Sequence, residues 1–167
     1  MKLPGAIQDV RTIKALLTGA ETEARRAGDD LPGPEHLLLS AFGLPDGTAR
    51  RAFERLGADP DDFRAAVDTA HRQALHDVGV TMPNGAEQQL PPPTRPGGVY
   101  RMTAPGQEAF QAAVKLSKAT KPSLLRGGHV VAAVCDQEHG TVARALKALG
   151  IERGALAIAA GEALANR

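Results

Sequence analysis

The sequence predicts an all-α fold in which one four-helix pattern is used twice, and three observations carry that prediction. First, Gly33-Pro34-Glu35-His36-Leu37-Leu38-Leu39, followed by the run from Gly47-Thr48-Ala49 to Leu56-Gly57, returns as Gly128-His129-Val130-Val131, followed by the run from Gly140-Thr141-Val142 to Leu149-Gly150. The two copies superimpose without a gap at the offset from His36 to His129, 93 residues, which also pairs Arg51 with Arg144 and Gly57 with Gly150. A fixed offset of that kind is the mark of internal duplication. Second, the hydrophobic share of 43% is mainly Ala, Leu and Val, with four Phe, one Tyr and no Trp, which favours closely packed small-residue helices over aromatic sheets. Third, apolar residues recur at three- and four-residue steps.

Taken in order, Ile13, Leu16, Leu17, Ala20 and Ala24 make one face of a helix from Ile7 to Ala27, opposite Arg11, Lys14, Glu21 and Arg25. Gly28 ends it, and Asp29-Asp30-Leu31-Pro32-Gly33 is a turn. Pro34 suits the first turn of a second helix, Glu35 its positive dipole end, and Leu37 to Phe42 is apolar nearly all round, which predicts burial. Thr48 is expected to cap a third helix through Ala49, Ala52, Phe53 and Leu56, stopped by Gly57. Asp59-Pro60-Asp61-Asp62 opens a fourth, through Phe63, Ala66, Val67 and Ala70 to about Leu75.

The sequence divides into a first repeat over 1–77, a Pro- and Gly-rich connector over 78–102 and a second repeat over 103–167, the repeats packing as one domain. Pro83-Asn84-Gly85, Pro91-Pro92-Pro93 and Pro96-Gly97-Gly98 exclude a long helix and favour an extended, solvated segment. Thr103-Ala104-Pro105 then restarts the helical pattern, and further helices are expected over about 127–137, 140–149 and 152–165.

Charge and cysteine content narrow the function. Twenty basic and 19 acidic residues leave a net charge of +1, too weak a field to hold a phosphate backbone, so no nucleic-acid partner is expected. No segment approaches the roughly 20 apolar residues of a membrane span, and the start lacks a secretory signal. Cys135 is the one cysteine, which excludes a disulfide framework and points to a reducing compartment, hence the cytoplasm.

A long helix, then Gly-x-Glu-His-Leu-Leu-Leu, then Gly-Thr-Ala/Val with a closing Leu-Gly, given twice, resembles the N-terminal substrate-receiving domain of Clp unfoldases of the ClpA/ClpC type over nearly the whole chain. The resemblance implies a pseudo-twofold bundle of about eight helices that docks substrates or adaptors and, in the ClpC branch, recognises phosphorylated arginine. No Gly-x-x-x-x-Gly-Lys-Ser/Thr occurs, so the loop that cradles nucleotide phosphates is absent and the chain is not the motor. It looks like a free-standing N-domain, with Clp components or their protein substrates as partners and no cofactor.

The resemblance places Glu35 where a glutamate pairs with the guanidinium of phosphoarginine; dipole stabilisation and capping explain the same residue. Gly128 stands at the equivalent place in the second copy. Thr103 matches a threonine near the second pocket, and Val10 holds the corresponding place in the first, so each repeat keeps one element and lacks the other. The family's patch for cyclic-peptide antibiotics would fall on Met102, Gln107 and Gln111.

His36 and His129 read as structural, because a histidine satisfied by hydrogen bonds at a helix junction explains their duplication. Cys135, Glu138 and His139 fall short of a four-ligand zinc set, so no metal is expected and Cys135 reads as core. The function that follows is a non-catalytic binding module modulating Clp proteolysis as adaptor, competitor or decoy. The alternatives are a protein that sequesters Clp-directed cyclic peptides and a small metal or thiol hydrolase built on His129, Cys135 and His139.

Overall fold

A computed structural model describes residues 4–77, 79 and 101–166. Within them the chain forms eight helices and no strand: α1 (Pro4–Ala27), α2 (Pro34–Ala41), α3 (Thr48–Arg55), α4 (Pro60–Asp77), α5 (Ala104–Ala119), α6 (Gly127–Cys135), α7 (Thr141–Ala148) and α8 (Arg153–Ala165). The expected connector falls almost wholly outside the described residues. None of the described helices is long and apolar enough to cross a membrane.

The local signals explain most boundaries. Asp59 Oδ1 accepts the Asp61 N–H at 2.8 Å, and Thr103 Oγ1 accepts the Gly106 N–H at 3.1 Å, so both capping residues act as their types suggest. Gly57 and Gly150, the same position in the two copies, stop α3 and α7 at φ 68° and 71°, where a side chain would be strained. One expectation fails. Thr48 does not cap α3; Gly47 is the N-cap, Asp46 Oδ1 accepts the Thr48 N–H at 3.0 Å, and the Thr48 hydroxyl turns to the other repeat.

Each long helix lies on the buried helix that follows it, α1 on α2 and α5 on α6, and α2 meets α6 at the centre. Beyond that the repeats interlock, because α4 packs on α7 while α8 packs on α3 as well as α6. In the first repeat Phe42, Phe53 and Phe63 meet edge to face, with centroids 4.9 to 6.0 Å apart. At the 93-residue offset their counterparts are Cys135, Leu146 and Leu156, all buried. Cys135 is therefore a core residue standing where the other copy has a phenyl ring.

Candidate functional site

Two comparable sites lie at the starts of α2 and α6. A helix start leaves N–H groups without partners inside the helix, and each copy uses a histidine to answer one from just before it. His36 Nδ1 accepts the Gly33 N–H at 2.9 Å, and His129 Nδ1 accepts the Arg126 N–H at 3.0 Å, the reciprocal half of a capping box. Both rings are 1% exposed. With Nδ1 accepting, each neutral ring carries its proton on Nε2 and must donate from there.

The second nitrogens differ. His129 Nε2 lies 3.0 Å from the Thr120 hydroxyl, which can pass the bond on to the Ser117 carbonyl at 3.1 Å. Burial, reinforced by the Arg126 charge, pushes His129 down to about 4 and keeps it neutral. His36 Nε2 instead faces Asp29 Oδ2 at 3.3 Å, in a geometry that gives neither buried atom a well-directed hydrogen bond. Asp29 also meets His71 of α4, whose Nε2 is 3.0 Å from Oδ1. Burial works against the Asp29 carboxylate, but the contacts with His36 and His71 outweigh it and hold Asp29 well below the usual carboxylate range. The hydrogen bond to Asp29 raises His71 in turn, against its burial. Glu35 folds back over Gly33 and joins this group, one oxygen 3.6 Å from His36 Nδ1.

In the second copy the counterparts of Asp29, Glu35 and His71 are Pro122, Gly128 and Leu164. A Cβ on Gly128 would stand 2.7 Å from Leu164 Cγ, so α8 fills the space a glutamate would need. The α6 N-terminus is occupied as well. Gly127 N–H points at both Asp46 oxygens at 3.2 Å, and Gly128 N–H donates to Thr48 Oγ1 at 2.7 Å, the Thr48 hydroxyl donating to Asp46. One site is polar and the other is filled by the protein's own Leu164 and Asp46.

A family model described as the Clp repeat (R) N-terminal domain matches residues 11–149. The chain belongs to the Clp repeat N-terminal domain family. Within the Clp proteins, it is 34% identical over 79 residues to the chloroplastic chaperone protein ClpC of Pisum sativum, 47% of this chain and 9% of that one. Against the chloroplastic ClpC1 of Arabidopsis thaliana the figures are 43% over 54 residues, 32% of this chain and 6% of that one. The match thus spans less than a tenth of either relative. Among solved structures, the N-terminal domain of the caseinolytic protease associated chaperone ClpD from Arabidopsis thaliana superimposes with a TM-score of 0.62 at 21% identity, covering 99% of both chains. By family membership this is a Clp-related protein-interaction domain.

Each helix start of this Clp N-domain is approached by a long helix of the other repeat. Thr103 N–H donates to the Pro32 carbonyl at 3.0 Å, and a Cβ on Gly106 would lie 3.4 Å from Gly33 Cα. Thr103 therefore stands beside the Glu35 site. Asp9 Oδ1 accepts the Leu125 N–H at 2.8 Å, which sets the Val10 end of α1 beside the Gly128 site. α5 thus begins against the turn before α2, with Thr103 on Pro32, and α1 lies against the turn before α6, with Asp9 on Leu125. Val10 is exposed, and the Thr103 hydroxyl is engaged as the α5 cap. Met102 is half-buried, Gln107 and Gln111 are exposed, and the Gln107 amide turns back to the Met102 carbonyl at 3.5 Å.

The hydrolase trio is not assembled. His129 spends both nitrogens on scaffold bonds, burial pushes the Cys135 thiol up to about 12, and His139 is exposed. Sequence reasoning missed Asp29 and His71. They are 42 residues apart and meet through the packing of the folded chain, with no local spacing to announce them.

Proposed function

We propose that this Clp N-domain is a non-catalytic peptide-binding module with one working pocket, at Glu35 and Thr103, and that it modulates ATP-dependent Clp proteolysis as adaptor, competitor or decoy. The observation that carries the reading is the contrast between copies: a buried carboxylate at the α2 start against Leu164 in the same place beside α6. A carboxylate at a helix start pairs with a guanidinium while nearby N–H groups favour a phosphate, the two halves of a phosphoarginine side chain. The engagement of His129 and the high thiol pKa of Cys135 support a non-catalytic role.

The test is a phosphoarginine-peptide titration followed by amide NMR. Shifts are expected around residues 33–37 and 103–107, with none near Gly128, and they should vanish in Glu35→Ala. Equal shifts at both helix starts, or undiminished binding by Glu35→Ala, would overturn the one-pocket reading. The modulating role is tested separately by pull-down, and recovery of neither Clp components nor Clp substrates counts against it.

A further inference from the structure

Asp29, Glu35 and His71 bring two carboxylates and an imidazole together from a turn, α2 and α4, and their donor atoms all lie within 4.8 Å of one another. First-row metal ions hold such ligands at about 2.0–2.2 Å, so donors around one ion sit about 3–4 Å apart. Asp29 and His71 are already 2.9 Å apart, and a small movement of Glu35 closes the set. Arg64, also on α4, cannot serve as the counter-ion, because its guanidinium is held by both oxygens of Glu23.

A second, independent observation points to a ligand. His36 is 1% exposed, and its Nε2–H, aimed at this group, lacks a well-directed acceptor. The duplicated histidine is the internal control, since His129 has Thr120 for its second nitrogen, in the copy where Pro122, Gly128 and Leu164 replace the polar trio. Buried donors left without partners are uncommon and call for an explanation. A metal-bound Asp29, turned slightly, would give His36 its acceptor in the way ligating carboxylates are commonly held from behind.

We infer that Asp29, Glu35 and His71 form a binding site for one divalent metal ion of the zinc class, with His36 positioning Asp29. The imidazole favours zinc and the later first-row ions over magnesium, calcium and manganese, which suit oxygen ligands. Three protein ligands leave a coordination position open. The site shares Glu35 with the proposed peptide pocket, and because its test contains no peptide, failure of one reading is distinguishable from failure of the other.

Metal-free full-length protein is titrated with Zn²⁺ by calorimetry and with Co²⁺ by visible absorption. One ion per chain is expected, undisturbed by excess Mg²⁺, and His71→Ala and Asp29→Asn should each weaken binding by at least about tenfold. His71 is only half-buried on α4, so His71→Ala and His71→Gln keep the test decisive should Asp29→Asn fail to fold. No stoichiometric ion, or an unchanged isotherm in the His71 variants, would overturn the site.

Discussion

His36 and His129 do the same backbone work and differ in their surroundings, and acid should expose the difference. The folded value of His129, about 4, lies below its ordinary value near 6.5, so the unfolded chain takes up the proton first. Its contribution is complete above about pH 6.5 and is lost as the pH falls toward 4, on the order of 2 kcal/mol by pH 5. His71 runs the other way: its raised pKa gives stability that is present at low pH and lost as the pH rises through its folded value. Asp29, lowered, contributes above the usual carboxylate range and loses that contribution in stronger acid. Urea unfolding at pH 7 and pH 5 should therefore show a smaller acid loss in His129→Gln than in wild type, and a larger one in His71→Ala. Equal slopes in all three proteins would remove His129 as the cause. The neighbouring Gly128 carries a separate prediction. Gly128→Glu should cost about 1–3 kcal/mol by forcing Leu164 aside, and much less in a Leu164→Ala background. A double-mutant cycle with no coupling would mean that Leu164 does not fill that site.

At the scale of elements, helix starts and stops were legible because their chemistry is local. Asp59, Thr103, Gly57 and Gly150 act within a few residues of themselves, and each does what its type suggests. Thr48 was misread for the opposite reason: its hydroxyl answers Gly128, 80 residues away, and no local spacing encodes that bond. The same bond brings the start of α6 down onto α3. A Cβ on Gly127 would stand 2.8 Å from Ala49 Cβ, 3.1 Å from the Ala49 nitrogen and 3.2 Å from the Ala41 oxygen. These are backbone and Cβ atoms with no rotamer to yield. Gly127→Ala should therefore destabilise by about 1–3 kcal/mol or more, and small-to-large changes at Ala49 should do the same. Gly127→Ala at wild-type stability in urea would show that the approach of α6 to α3 is looser than described.

For the molecule as a whole, duplication made the fold legible and hid the site. An offset shared by His36, Gly57, Phe53 and their counterparts is enough to infer two copies, but it does not reveal that α5 starts against the turn before α2 and α1 against the turn before α6. Thr103 reaches the turn that precedes Glu35 only because α5 starts against it. The same crossing governs how the protein should fold. The fourth helix of the first repeat lies on the third helix of the second, and α8 returns to α3, so neither half covers its own core. α3 and α7, whose centres Phe53 and Leu146 are fully buried, both pack on helices of the other repeat. A fragment of residues 1–77 should thus show little cooperative unfolding, since the apolar area left open removes burial worth about 25 cal/mol per Å² while the chain entropy remains. The second fragment, 103–167, should behave alike, and mixing the two should raise helicity in proportion to complex formed. Circular dichroism of each fragment and of the mixture, beside the single transition expected of the full chain, decides the point: a cooperative melt of 1–77 alone would show that the repeats are independent folding units joined late.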